Sequence, residues 1–369
     1  MATTLGYEEM LRQIVADDLR KVDLLADTRK ASAVVEEGRV LVSVDAASGL
    51  QTFALTDHAV GQIANDLEIP KRYFDRMRVD APALCATNVN HWLANAPQKR
   101  MLRGYKPEGD SPYGTGRAWV SSGYKRLDNI EIARNVFPVF KDVDGLTFHQ
   151  SQITETKFYI RATLPGVNFD VKPGYTWTAP DGGQQVGDII CGGIEIKNSE
   201  VGAGSLEINP FVFRYACRNG LVVPVYGEQR RHVGKRITEE QFYRAETLEA
   251  DDKAFWLKVR DDAGAMLSHA RFDEIARKLG ETIHGDKILA PVAATEELAQ
   301  RFSLTDAERD AVLRNLTEAG DFSQWGALNA ITATAKGVES FDRQAELETI
   351  GWDVAELDSR AWANIAVAA

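Results

Sequence analysis

Cysteine is scarce in this chain. Three residues, Cys85, Cys191 and Cys217, are an odd number without CxxC spacing. That excludes a disulfide framework or zinc-finger pattern and fits a reduced compartment. No apolar run approaches the ~20 residues a membrane helix needs. The first residues, MATTLGYEEMLRQIV, lack the basic and apolar regions of a signal peptide. The location expected is cytoplasmic, with no membrane partner. There is no GxxxxGK[ST] stretch, which argues against a P-loop NTPase, and no HExxH, GxSxG or EF-hand spacing. The six histidines, His58, His91, His149, His232, His269 and His284, have no metal-ligand neighbours at short spacing. Neither a resident metal nor a cofactor is implied, and the chain reads as non-enzymatic.

An excess of basic charge is also missing. The net charge of −11 argues at first against nucleic acid. Its distribution is uneven, however. Residues 97–236 hold 19 Lys and Arg against 14 Asp and Glu, whereas the remainder holds 24 against 40. A mildly basic middle between acidic flanks is thus one reading, and a solvated acidic surface with chance variation is the other.

What is present reads as α+β: a central antiparallel sheet with packed helices, a mixed N-terminal region and a helical C-terminal region. The expected division is 1–96, 97–236 and 237–369. Tyr7, Met10, Leu11, Ile14, Val15, Leu19 and Val22 mark an amphipathic first helix. Strands are expected near Ser32–Val35, Val40–Val44 and Thr52–Leu55. Thr56 then caps a helix, and Pro70 opens another. This helix pair would present Lys71, Arg72 and Arg76 as a helix-turn-helix, or form an ordinary helical hairpin. A third helix is expected over Ala83–Leu93. The Gly-, Pro- and cation-rich stretch QKRMLRGYKPEGDSPYGTG reads as an exposed loop opening a new unit.

The central unit is organised around CGGIEIKNSEVGAGSLEINPFVFRYACRNG, Cys191–Gly220, two strands joined by a turn whose glycines permit positive φ. Before it come a strand at Arg117–Ser122, a helix capped by Asp128 or Asn129, and strands Leu146–Ile153 and Lys157–Leu164. In the last of these, Phe158, Ile160 and Ala162 point one way and Lys157, Tyr159 and Arg161 the other. Pro165–Val186 reads as a long loop whose Tyr175 and Trp177 either pack back or bind something. From Ile237 the pattern is helical and acidic, with a capping box at Thr305–Glu308 and a late helix over Trp325–Lys336.

Catalytic constellations are weak. His149 with Cys191 or Cys217, Ser199 as a nucleophile, and Asp142, Asp144 and Glu155 as metal ligands each have a plainer account as buried thiols or turn residues. Basic–aromatic groups are more suggestive, because cations hold phosphates and aromatic faces hold bases. The candidates are Lys125, Arg126, Lys157, Tyr159, Arg161 and Arg214, with Arg230, Arg231, His232, Lys235 and Arg236 following the sheet. The competing account is the solvated face of an antiparallel sheet.

The pieces ALTDHAVGQIANDLEIPKRYFDRM, VSSGYKRLDN, GGIEIKNSEVGAGSLEINPFVFRYACRNGLVV, RRHVGKR and QWGALNAITATAKG resemble phage/plasmid-like proteins known only as a domain of unknown function. The resemblance covers Leu55 to Gly351. It is most specific at the N-S-E-V-G hairpin, the C-R-N-G turn and the R-H-x-G run. It implies an origin on a mobile element and no particular reaction. The order of elements is also similar to the single-strand-annealing recombination proteins of phages, which pair a helix with a small antiparallel sheet and form rings. That similarity implies a groove lined by Lys125, Arg126, Lys157, Tyr159, Arg161 and Arg214. The expected function is therefore nucleic-acid binding, with single-stranded DNA as partner, annealing as activity and a homo-oligomer or ring as assembly. Two alternatives stand beside it. One is a module that binds a host or phage protein, antagonising a host DNA-acting enzyme in the anti-restriction manner. The other is a metal-dependent nuclease.

Overall fold

The computed structural model describes residues 6–141, 143–178, 182–217, 219–224 and 245–368. The fold is α+β, built on two sheets that the chain fills in turn. Helix α1 (Tyr7–Arg20) runs straight into strand β1 (Lys21–Asp27), so Val22 belongs to a strand and not to the helix. Met10 and Ile14 of α1 are buried, but Val15 and Leu19 are exposed. The helix buries a narrower stripe than its apolar residues suggest.

The first sheet has six strands in the order β1-β5-β6-β4-β3-β2. Besides β1 these are β2 (Ala31–Glu36), β3 (Arg39–Ala46), β4 (Gly49–Leu55), β5 (Lys99–Tyr105) and β6 (Gly114–Ser121). Strands β4 and β6 pair in parallel and the other neighbours antiparallel. Three helices follow β4: α2 (Asp57–Asp66), α3 (Lys71–Asp80) and α4 (Pro82–Asn95). Thr56 caps α2 as expected, its hydroxyl accepting from Ala59 N at 3.3 Å. Val60, Ile63, Phe74, Met77, Val89 and Leu93 from these helices share a core with Val44, Phe53, Leu102 and Trp119 from the strands. On α3, Lys71 pairs with Asp75 and Arg76 with Asp80, one turn on. The helix pair is thus a cover for a sheet.

The stretch expected to be an exposed loop supplies β5 and β6, two interior strands of this sheet. The division expected at Pro97 therefore falls inside it. Two features hid the strands. The glycines that read as loop signals serve close packing: a Cβ at Gly104 or Gly114 would lie 2.5 Å from a backbone oxygen of the neighbouring strand. The arginines that read as solvated are matched inside the fold. Arg100 meets Asp66, and Arg103 meets Asp23 and Asp128.

The second sheet is antiparallel throughout, in the order β13-β12-β11-β8-β7. Its strands are β7 (Thr147–Ile153), β8 (Phe158–Asp170), β11 (Ile189–Asn198), β12 (Glu207–Arg214) and β13 (Asn219–Val222). The excursion between β8 and β11 carries a small hairpin, β9 (Thr176–Thr178) and β10 (Gln184–Val186). Phe158, Ile160, Ala162, Ile194 and Ile196 form one face of the sheet. They pack beneath α1, α5 (Asn129–Asn135), α6 (Phe137–Lys141) and α7 (Ala245–Met266). The capping box of Asp128 and Glu131 starts α5.

The C-terminal helices are α8 (His269–Glu281), α9 (Pro291–Phe302), α10 (Asp306–Ala319), α11 (Gln324–Thr334), α12 (Phe341–Ala355) and α13 (Ser359–Ala366). They share a core with Leu164, Ile190, Val212 and Leu221 of the second sheet. The expected capping box at Thr305 and Glu308 opens α10. No helix among the described residues is long and apolar enough to cross a membrane.

The turn between β11 and β12 joins the two sheets. Glu200 is almost wholly buried, and its carboxylate meets Lys21 Nζ at 2.6 Å and Arg117 Nη1 at 2.9 Å. It also accepts from Asn129 N at 2.8 Å. The Glu200 carbonyl accepts from Arg103 Nη1 at 2.7 Å, and the Val201 carbonyl from Gln62 Nε2 at 2.7 Å. Val201 then fills a small apolar cluster with Met101, Ala118 and Val120. The turn is a plug seated in the first sheet.

Burial alone would raise the Glu200 pKa, but Lys21, Arg117 and the Asn129 amide outweigh it and hold it at about 2. In the unfolded chain a glutamate titrates at about 4.3. The folded state therefore binds fewer protons between these values. The stabilisation is complete above the unfolded pKa and is lost as pH falls towards about 2. Glu200→Gln should accordingly lower the urea midpoint at about pH 6, and the gap from the parent chain should narrow at about pH 3. A gap that stayed constant with pH would show that Glu200 is not the titrating group.

Candidate functional site

The candidates on β8 are inside the molecule. Tyr159 and Arg161 do share a strand face opposite Phe158, Ile160 and Ala162, as alternation requires. That face is covered by α12, not by solvent. Tyr159 is 1% exposed and packs its ring on Phe341, centroid to centroid 4.9 Å. Burial pushes its hydroxyl well above the usual phenol range. Arg161 is 2% exposed. Its Nε donates to Glu195 Oε2 at 2.6 Å, and its Nη2 lies 2.5 Å from Glu348 Oε2. The guanidinium also lies 5.0 Å from the Phe211 ring and 5.3 Å from that of Phe341. Both residues are thereby withdrawn from a surface groove. The alternation was right, but Glu348, 187 positions away, neutralises the face that read as solvated.

The other described candidates are dispersed. Lys125 is 3.5 Å from Asp252 and sits 4.9 Å from the Phe255 ring. Arg126 is half-exposed, with Nη1 3.1 Å from Asp23. Lys157 precedes β8 and is half-buried, on the side where Gly204 closes the central hairpin. Arg230, Arg231, His232, Lys235 and Arg236 lie outside the described residues.

Arg214 lies in a more open setting. It forms a two-pronged pair with Asp188, Nε to Oδ1 and Nη2 to Oδ2 both at 2.6 Å. Asp188 is fully buried and also accepts from Trp325 Nε1 at 3.1 Å. The Arg214 guanidinium is 5.3 Å from the Trp325 ring and 5.7 Å from that of Tyr175. Beside it opens a cavity of about 410 Å³, lined by Lys172, Tyr175, Arg214, Lys287, Asp321 and Trp325. Lys172 lies 5.4 Å from the Tyr175 ring and 2.8 Å from Asp321. Lys287 is exposed.

Of the two aromatics of the long excursion, Tyr175 packs back onto the domain and Trp177 onto the excursion itself. Tyr175 sits over the cations, and Trp177 Nε1 donates to the Gly187 carbonyl at 3.1 Å. Sequence reasoning singled out Arg214 and Tyr175 separately. It missed Lys172, Asp188, Lys287 and Trp325, which come from four places in the chain. The one signal available was Tyr175 in a loop too long to be a simple link.

The catalytic alternatives find other employment. Ser199 is buried, donates to the Thr156 carbonyl at 2.8 Å and accepts from Ala203 N at 2.9 Å, closing its own turn. His149 Nε2 is 2.6 Å from Thr163 Oγ1, and its ring stacks on Phe213. Cys191 Sγ donates to the Leu164 carbonyl at 3.2 Å, and burial pushes its thiol pKa up. Asp142 lies outside the described residues. No group of three or more His, Cys, Asp or Glu among the described residues is placed to hold a metal.

Comparison with known proteins finds no matching family model, no matching curated protein and no matching solved structure.

Removing one member of a buried ion cluster leaves the others uncompensated, typically at a cost of about 3–5 kcal/mol. Arg161→Ala, which strands Glu195 and Glu348, should lower unfolding free energy in urea by about that amount. A loss within about 0.5 kcal/mol, the range of ordinary surface substitutions, would contradict the burial described.

Proposed function

We propose that this chain is a non-enzymatic nucleic-acid-binding protein of a phage or plasmid, with single-stranded DNA as its ligand. The observation that carries the reading is the Tyr175 cavity, where a half-buried aromatic ring and the cations Lys172, Arg214 and Lys287 line one opening. Such a site seats one nucleotide, with the base on the ring and the phosphate against the ammonium groups. Stacking of a base on an aromatic side chain contributes about 1–3 kcal/mol. Arg214 is already matched by Asp188 and Lys172 by Asp321, so the charge offered to phosphate comes chiefly from Lys287. The mobile-element origin rests on the motifs quoted above.

This placement makes a quantitative demand. Each phosphate neutralised on a single strand contributes about −0.7 to the slope of log affinity against log salt. One uncompensated lysine gives a shallow slope, roughly −0.7. Fluorescence anisotropy of a labelled single-stranded oligonucleotide should show saturable binding that weakens with salt at about that slope. In Lys172→Ala/Lys287→Ala, affinity should fall and the slope should flatten. Binding unchanged in the double variant would remove the cavity from the reading. No binding at micromolar protein and low salt would overturn nucleic acid as the ligand.

A further inference from the structure

A cavity of about 540 Å³ opens where the end of α8, the start of α11 and the junction of α12 with α13 meet. A space of this size suits a small molecule or one side chain of a partner. Two hydrogen bonds tie its walls together. Trp325 N donates to the Thr282 carbonyl at 3.2 Å, and Trp362 Nε1 to the Asp286 carbonyl at 2.8 Å.

Gln324 forms part of the wall and is 7% exposed. Its Nε2 donates to the Val354 carbonyl at 2.7 Å and to the Leu357 carbonyl at 3.3 Å. Only a donor satisfies two carbonyls, which fixes the amide with its oxygen on the other side. That Oε1 receives no hydrogen bond from the described residues, and it keeps surface open to the cavity. Leu357 immediately precedes Asp358, so the amide and the Asp358 carboxylate are neighbours in the lining. Polar groups buried to this degree are normally hydrogen-bonded, and here the missing partner is a donor.

The charge of the lining runs the same way. Glu281, Asp286 and Asp358 are set against Lys278, the only Lys or Arg that lines the cavity. Arg277 takes up Glu281 at 2.6 Å, whereas Asp286 and Asp358 have no ion pair among the described residues. Asp358 uses Oδ1 to accept from Ala361 N at 2.7 Å, and its second oxygen remains. The helix ends agree. α8 and α12 finish at the cavity, and the carbonyl end of a helix favours a cation. α11 and α13 begin there, but Ser323 and Asp358 already accept from amides of their first turns, at Gly326 and Ala361. Among the described residues no three carboxylates, imidazoles or thiols are placed to hold a metal, so the cation that fits is an organic one.

We infer that this cavity binds an alkyl guanidinium, free or as an arginine side chain of a partner, with Gln324 Oε1 and the Asp358 carboxylate accepting from its N–H groups. A guanidinium presents its donors in one plane and is more weakly hydrated than an ammonium. It therefore serves an amide oxygen and a carboxylate together at a smaller desolvation cost. The inference goes beyond the nucleic-acid reading and does not rest on it.

Two cations of equal charge separate the chemistries. The full chain is titrated calorimetrically with N-ethylguanidinium and with n-propylammonium. The expected result is saturable binding of ethylguanidinium, weakened by salt and favoured about tenfold over the ammonium. Asp358→Asn removes the charge and keeps the cap, because Asn caps a helix as well as Asp does. It should weaken ethylguanidinium binding about tenfold. Near-ultraviolet circular dichroism shows whether this variant is folded. Should it not be, the two titrations of the parent chain decide alone. The blocked tripeptide acetyl-Gly-Arg-Gly-amide identifies the source. Tighter binding than ethylguanidinium assigns the site to an arginine of a protein, and weaker binding assigns it to a small guanidinium compound. No saturable binding at tens of millimolar ethylguanidinium, equal affinity for the two cations, or unchanged affinity in folded Asp358→Asn overturns the inference. Binding of an oligonucleotide, or its absence, leaves each of these outcomes as it is.

Discussion

The seating of one hairpin turn in the opposite sheet governs this molecule. Lys21, Arg103 and Arg117 come from the first sheet, Asp128 and Asn129 from the start of α5, and Glu200 from the turn itself. Ion clusters of this kind contribute little net stability, because the desolvation of each charge offsets most of the attraction. Their contribution is to register. Arg103 alone reaches Asp23, Asp128 and the Glu200 carbonyl, so a shift of the turn along the sheet would strand several buried charges at once. The apolar seat of Val201 supplies the hydrophobic burial that the charges do not.

The same device recurs at two places where the second sheet meets the C-terminal helices. Arg161 is held between Glu195 from its own sheet and Glu348 from α12. Arg214 is held by Asp188, with Trp325 of α11 donating to the same carboxylate. In each case an arginine on a strand is partnered by an acid on, or one residue before, the neighbouring strand, and a helix closes the arrangement. These contacts leave two cavities at their margins, one edged with Lys172, Lys287 and Tyr175, the other with Arg161, Phe211, Phe213 and Lys336.

Local signals in the sequence told local truths. The caps at Thr56, Asp128 and Thr305 each start the helix they announce, because a cap acts within four residues. The alternation of Phe158, Ile160 and Ala162 with Tyr159 and Arg161 was equally legible. What lay on the second face was not, because periodicity reports that two faces differ and says nothing of what arrives later in the chain to cover one. The strands β5 and β6 were hidden for a related reason. Glycine and arginine mark loops when their neighbours are solvent, and mark close packing and buried ion pairs when their neighbours are strands. Of the proposed binding residues, Arg214 and Tyr175 stood out in the sequence, but their meeting with Lys287 and Trp325 depends on contacts between segments far apart in the chain.

The distance in sequence between Arg161 and Glu348 bears on the order of assembly during synthesis. A chain is made from its N-terminus, and domains generally fold as they emerge. The first sheet is complete once Ser121 has been made, and its plug once the central hairpin follows. The second sheet has by then received Glu195 and Asp188, yet its face at Tyr159 and Arg161 stays open to water until α12, whose Glu348 lies 187 positions after Arg161, has been made. The nascent protein therefore passes through a stage in which one half is finished and the other displays an uncovered sheet, the stage at which it is most vulnerable to association with its neighbours.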